Sequence, residues 1–342
     1  MNIVGTGKTV SSSQPKFWRK PVVRLGGSAL ILALLLTFVP FDQIWSAIKH
    51  IPPSLSISLL GVYLGLHLLG VVKWRLLVNV AGAELTFGQA IRCYYGGLFG
   101  NVFLPSLVGG DVVRASMAFA VSRSRAAIVL GSLVDRAEDV IGLGGIAATG
   151  ALLLPSSLDP QSRKVFWAFG GALAVAGVLA LGVLFAMPVR KLPFKVRRIM
   201  VKLRHASRSM YGRRGRVLLA LGLGVVLQVS QVAVNFWLGE ASGLHVAFGV
   251  WLFAWPLAKI SALLPVTQGG IGVREVALIG LLAPFGAPSV LTAAAGLVFE
   301  AITTIGGLIA GIIAFGIGRI TETQPKPFSI AQACLKDGNT TL

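Results

Sequence analysis

The 342-residue chain carries 31 Lys and Arg against 12 Asp and Glu, a formal net charge of +19, yet 55% of it is hydrophobic and only 13% is charged. Its mean hydropathy of +0.79 and its long apolar runs, set against the roughly 20 residues a helix needs to cross a hydrocarbon core, make it an integral membrane protein. Runs of alternating polarity are absent, which excludes a membrane β-barrel and leaves an all-α, polytopic helical membrane protein. The positive charge does not point to nucleic acid. Eleven of the 31 basic residues lie between Arg190 and Arg216, and five more precede the first apolar run. That clustering is what the positive-inside rule produces, and it also favours anionic lipid headgroups. No soluble nucleic-acid-binding module accompanies the charge. Cys93 and Cys334 stand far apart, without metal-ligand spacing or a disulfide framework, so no metal or cofactor is expected.

In chain order, residues 1–23 are Ser-rich and basic and read as a disordered cytoplasmic tail. The run Leu25–Val39 lacks a small-x-small cleavage site and is followed by further apolar helices, so it reads as a signal anchor. A short outer segment around Pro52-Pro53 leads into a predicted helix over Leu55–Val78. His67 within it reads as a packed residue rather than a ligand, and Lys73 and Arg75 as side chains that snorkel to the cytoplasmic headgroups. Gln89–Phe119 contains Asn101, Pro105, Gly109 and Gly110 between flanks of about 12 to 16 residues, too short for comfortable spanning. Two half-helices that dip in from the cytoplasm and return are predicted there.

Ala126–Leu154 is predicted as one helix with Asp135-Arg136-Ala137-Glu138-Asp139 inside it. At about 1.5 Å per residue this places Asp135 near mid-bilayer. The alternative is a polar loop between two short helices. Pro155–Lys164 reads as an outer loop, Val165–Met187 as a returning helix, and Arg190–Arg216 as cytoplasmic. Val217–Leu238 carries Gln228, Gln231 and Asn235 at helical spacing, one polar face toward a neighbouring helix or cavity. Phe248–Leu264 and Gly272–Phe285 form a second broken pair, Ser289–Gly318 is the last helix with Glu300 inside, and residues 319–342 are a polar cytoplasmic tail.

The most informative feature is a pattern used twice. Leu104-Pro105, Gly109-Gly110, Val113 and Arg114 return 160 positions later as Leu264-Pro265, Gly269-Gly270, Val273 and Arg274. Such internal repeats mark duplicated architecture. The two halves are expected at about 55–154 and 217–318, within a membrane domain spanning 24–318. On the topology above, the first broken pair opens from the cytoplasm and the second from outside, so the halves are expected to be inverted. Paired glycines permit close backbone approach, and a helix resuming after them offers amide donors and the positive end of its dipole. With Arg114 and Arg274 one turn in, these features suit a phosphate. In the competing interpretation Gly-Gly serves packing and each arginine pairs with a nearby carboxylate, Asp111 or Glu275.

These residues carry a resemblance. Lys73-Trp74-Arg75-Leu76-Leu77, Asn101…Leu104-Pro105…Gly109-Gly110-Asp111…Arg114, Asp135-Arg136 and Pro265…Gly269-Gly270-Ile271-Gly272-Val273-Arg274-Glu275 are similar to the flippase-like membrane domain family. That family is the transmembrane region of lysylphosphatidylglycerol synthases, shared with standalone prokaryotic proteins and hopanoid-associated membrane proteins. The similarity covers roughly residues 25–318. It implies movement of a lipid with a charged or phosphate headgroup across the cytoplasmic membrane. Only a short polar stretch follows Gly318, so lipid aminoacylation by this chain is not expected.

The resulting expectation is a lipid flippase or scramblase-like transporter, not an enzyme, with phospholipid or another anionic-headgroup lipid as its partner. Arg114 and Arg274 would receive the headgroup from opposite sides, and Asp135, Arg136 and Glu300 would line the path between. Arg75, Asn101, Gly109, Gly110, Asp111, Gly269, Gly270 and Glu275 complete the candidate site. No nucleotide-binding G-x-x-x-x-G-K-[ST] is present. The rivals are a carrier of a small soluble anion, an intramembrane enzyme acting on phospholipid, and a non-catalytic subunit of lipid biosynthesis.

Overall fold

The computed structural model describes residues 41–104, 109–153, 201, 208, 210–262 and 272–322. Residues 1–23, the anchor Leu25–Val39, the segments 155–164 and 165–187, most of the basic stretch, Pro105, Pro265, Gly269, Gly270 and residues 323–342 with Cys334 lie outside the described residues, while 319–322, expected in the polar tail, continue the last helix.

Among those described, the chain is helical throughout. The helices are α1 (Phe41–His50), α2 (Pro53–Val80), α3 (Phe87–Phe103), α4 (Gly109–Val121), α5 (Arg125–Leu153), α6 (Arg214–Ala241), α7 (Phe248–Ser261), α8 (Val273–Leu282) and α9 (Ser289–Glu322). Three of them, α2, α6 and α9, are long and apolar enough to cross a membrane. Their outward faces carry exposed apolar residues such as Ile57, Val226 and Ile312, as a lipid-facing surface requires. Helix α1 is not among the expected elements. Its signal is present in the sequence as Ile44, Ala47 and Ile48 at helical spacing, and Ile44 and Ala47 pack on Ala293 and Ala294 of α9.

Helix α5 is continuous through Asp135–Asp139, which removes the polar-loop alternative. Asp135 is therefore held inside a 29-residue helix. Helices α3 and α4 lie against each other in antiparallel fashion. A Cβ added at Gly97 would stand 2.8 Å from the Gly110 carbonyl, and one at Gly100 would stand 2.9 Å from Val113 Cγ2, so glycine is what lets the two backbones approach. Thr86 opens α3 with a capping box: its hydroxyl accepts from Gln89 N, and Gln89 Oε1 accepts from Thr86 N. The pair closes where it began, because Ser122 Oγ, just past α4, donates to Ala83 O at 2.9 Å. At the second pair, Ser242 Oγ donates to Leu291 O at 3.4 Å, joining the turn before α7 to the start of α9.

Helices α2 and α6 run antiparallel. Lys73 lies against Gly224, while Leu59 shares a core with Val234 and Leu238. Each is 28 residues long and each ends in a turn with a glycine at positive φ, Gly82 at 101° and Gly243 at 89°. After each, a short helix opens at a phenylalanine, Phe87 or Phe248. The broken pairs pack across the molecule: α3 runs along α9, and α7 along α5. In α9, Gly307 and Gly311 are consumed by this packing, facing Val102 and Phe99. Two cores result. One surrounds Trp74, Leu77 and Ala127; the other surrounds Trp251, Trp255, Leu278 and Phe299.

Candidate functional site

Between the cores lies a cavity of about 210 Å³ to which every helix from α2 to α9 contributes. Its charged lining comes from Lys73, Asp111, Arg114, Asp135, Arg136, Asp139, Lys259, Arg274 and Glu300. Nine charges inside a helical membrane protein are tolerable only when paired or hydrated, since each unpaired one costs about 2.5–3.5 kcal/mol on insertion scales.

On the α4 side the pairing forms a closed ring of alternating sign. Arg114 Nη2 lies 3.0 Å from Asp111 Oδ1 and 3.1 Å from Asp135 Oδ2. Lys73 Nζ lies 3.1 Å from Asp135 Oδ1 and 2.7 Å from Asp139 Oδ1. Arg136 closes the ring, bonded to Asp111 and 3.9 Å from Asp139 Oδ2. The guanidinium of Arg114 is also flanked by the rings of Trp74 and Tyr94, at 5.0 and 5.2 Å.

On the α8 side Arg274 donates to Glu275 Oε1 at 2.7 Å and to Glu300 Oε2 at 2.6 Å. Trp255 and Phe299 flank it at 5.4 and 5.0 Å. Each arginine thus sits between two carboxylates and two aromatic rings. Lys259, on α7, is held differently. Its ammonium donates to Gln228 Oε1 at 2.8 Å and to Gln231 Oε1, both neutral amide oxygens on one face of α6.

Most of the expected residues meet here. Asn101, Gly110, Asp111, Arg114, Asp135, Arg136, Arg274 and Glu300 line the cavity. Glu275 is buried just behind it, and its Oε2 accepts from Gly272 N at 2.7 Å. Gly109 opens α4 but packs against Leu104 rather than lining the cavity. Arg75 stands apart, donating to Leu85 O at 3.0 Å near Phe87. Gly269 and Gly270 lie outside the described residues. His67 lines the cavity edge-on to Tyr63, with ring centroids 4.3 Å apart. Among the described residues no cluster of His, Cys, Asp or Glu could hold a metal.

Three expectations change. Lys73 does not snorkel: it is 2% exposed and locked to α5. Arg274 is the second residue of α8, not one turn in, whereas Arg114 is the sixth of α4. The helix-opening amides are not all free for a ligand, because Asn101 Oδ1 already accepts from Gly110 N at 2.8 Å and Glu275 takes Gly272 N. Both arginines pair with the carboxylates that the competing interpretation named, Asp111 and Glu275, and each adds a second from another helix.

Residues that the sequence reading missed are Lys259, Trp255 and Tyr94. For Lys259 a signal existed: it is the lone charged residue in the apolar run Phe248–Ser261, and an intramembrane ionisable residue is a functional candidate by default.

The family described as lysylphosphatidylglycerol synthase TM region matches residues 22–311. The chain belongs to that family. Within the lysylphosphatidylglycerol synthase TM region family, α1 to α8 and most of α9 fall inside the matched range. A UPF0104 membrane protein of Methanothermobacter thermautotrophicus is 24% identical over 318 residues, covering 84% of this chain and 90% of its own. The glycosyltransferase AglD of Haloferax volcanii is 26% identical over 361 residues, covering 91% of this chain. The chain spans just over half, 57%, of that glycosyltransferase.

Proposed function

We propose that this protein moves a lipid with a phosphate-bearing headgroup between the leaflets of a prokaryotic cytoplasmic membrane, as a flippase or scramblase-like transporter and not as an enzyme. The observation that carries this reading is the single cavity in which Arg114 and Arg274, from the two copies of the repeated pattern, come together with their carboxylate and aromatic partners. A cavity of about 210 Å³ suits a headgroup-sized polar group, while acyl tails would stay in the bilayer. The family's name, that of a phospholipid synthase's membrane region, supports the lipid half of the reading.

Alternating access would rest on two inverted repeats, each with a re-entrant broken pair. Four features support the inversion. The first pair begins and ends beside the C-terminal turn of α2, through Ser122 and Ala83. The second begins and ends beside the C-terminal turn of α6, through Ser242 and Leu291. Helices α2 and α6 run antiparallel, so the two pairs open at opposite ends. The contacts of α3 with α9 repeat as those of α7 with α5.

The test is a reconstituted translocation assay. Purified protein is placed in liposomes with headgroup-labelled phospholipid, and an impermeant quencher reports the leaflet. Protein-dependent exchange is expected, and it should fall at least about tenfold in Arg114→Lys and Arg274→Lys, which keep the charge but lose the planar fork. Folded protein that exchanges no lipid sinks the reading.

A further inference from the structure

We propose that Lys259, cradled by Gln228 and Gln231, is the cation that takes the substrate's phosphate; this rests on the transport reading above and names the subsite it uses.

Each of the other four cavity cations has at least two carboxylate partners within ion-pair distance: Lys73, Arg114, Arg136 and Arg274. Among the described residues Lys259 has none. Its two acceptors are amide oxygens, which orient an ammonium but do not neutralise it. An ammonium offers three donors, so one remains. A half-buried charge of this kind is costly until an opposite charge arrives, and the cavity it lines is where that charge would arrive.

The unspent polar atoms on cavity-lining residues have one chemical character. Arg114 Nε and Trp255 Nε1 are buried and have no hydrogen-bond partner among the described residues. With the third donor of Lys259, three N–H groups on cavity-lining residues have no acceptor among the described residues. A halide accepts without directing several donors. A phosphate offers oxygens in several directions and makes charge-assisted bonds to an ammonium. The arginines, each held by two carboxylates and wedged between rings, then act as walls that fix the cavity, and the lysine supplies the ammonium that has no carboxylate partner among the described residues.

The phosphate can come from a lipid headgroup or from free phosphate. The experiment is calorimetric titration of the full chain in maltoside micelles, with inorganic phosphate in one arm and dihexanoylphosphatidylglycerol in the other. Wild type is expected to bind, Lys259→Arg to stay within about threefold, and Lys259→Gln to lose about tenfold or more, as expected for a lost charged hydrogen bond. Gln228→Glu, which keeps the lysine but gives it a carboxylate, is expected to lose a similar factor and serves if Lys259→Gln does not fold. Tighter binding of the short-chain lipid supports the headgroup as source. Tighter binding of inorganic phosphate supports the subsite and overturns the lipid reading. Wild type that binds neither probe, or Lys259→Gln and Gln228→Glu that bind as wild type does, overturns the subsite. Binding is read without translocation, so a failed exchange assay and a failed subsite are separate results.

Discussion

The surroundings of Arg114 and Arg274 share a plan and differ in closure. Both guanidiniums lie between two carboxylates and two aromatic rings. Around Arg114 the pairing continues through Asp135, Lys73, Asp139, Arg136 and Asp111 until it returns to its start, three cations against three anions. Around Arg274 it stops at Glu275 and Glu300, and the nearby lysine of the cavity, Lys259, is bonded to amides instead. A closed ring on three helices fixes α2, α4 and α5 relative to one another. An open arrangement leaves the Lys259 ammonium without a carboxylate in ion-pair distance among the described residues. The cavity lysine of each half, Lys73 and Lys259, therefore serves a different end, and the difference lies in what faces the ammonium.

The largest effect that could break this contrast is Lys73→Met. It leaves Asp135 and Asp139 facing each other without their shared cation. Breaking a buried ion pair from one side costs about 3–5 kcal/mol, so thermal unfolding in detergent should fall steeply. An unchanged midpoint would mean the ring is not a unit. Next comes Arg274→Lys, which keeps a cation beside Glu275 and Glu300 but loses the planar fork and its contact with the flanking rings. About 2 kcal/mol is expected in the same measurement, smaller than for Lys73→Met because no carboxylate is stranded.

Helix α5 meets both halves through glycine, and this sharpens the comparison further. A Cβ at Gly131 would stand 2.6 Å from Val78 Cα, and one at Gly150 would stand 2.5 Å from Phe253 N. Both contacts are with backbone, which cannot swing away. Gly131→Ala and Gly150→Ala should each cost about 1–3 kcal/mol, while Gly144→Ala, with nothing within 4 Å, should stay within about 0.5 kcal/mol. Equal effects at all three positions would show that α5 does not pack as described. The smallest effect is expected at Glu138. It lies 3.9 Å from Lys73, and neither of its oxygens has a hydrogen-bond partner among the described residues. Glu138→Gln should change stability by less than about 1 kcal/mol. A loss as large as that of Lys73→Met would place Glu138 inside the ring.

Much of the fold was legible because its signals are local. The apolar runs Leu55–Val78 and Val217–Leu238 mark α2 and α6, and the structure extends them to Pro53–Val80 and Arg214–Ala241, each followed by a glycine at positive φ. The repeated pattern located both arginines, and the Asp135–Asp139 cluster announced itself as charge within a long apolar stretch. The amphipathic α1 is only 10 residues long, and its apolar face is defined by Ala293 and Ala294 of α9, so its local signal is weak. Lys73 was misread for a physical reason. A lysine near a helix end can reach headgroups or turn inward, and only the acids of α5 opposite it decide which. Arg75, two residues on, faces away from the cavity and bonds Leu85 O. Nothing in the tripeptide Lys73-Trp74-Arg75 separates the two fates except the 100° or so that each helical residue turns.

The sequence by itself determined that this is a helical membrane protein of one duplicated pattern, and which few residues bring charge into its apolar interior. Hydropathy, periodicity and repetition are properties of neighbouring residues, so they survive without coordinates. Only the tertiary structure decided the partners: that Arg114 meets Asp135 from α5, that Arg274 meets Glu300 from α9, and that Lys259 meets two amides and no acid. Each of those pairings joins two successive helices through residues 21 to 31 positions apart, beyond the reach of any one helix's periodicity. Coulomb energy falls with distance in space and is indifferent to distance in sequence, so no local pattern could have assigned them.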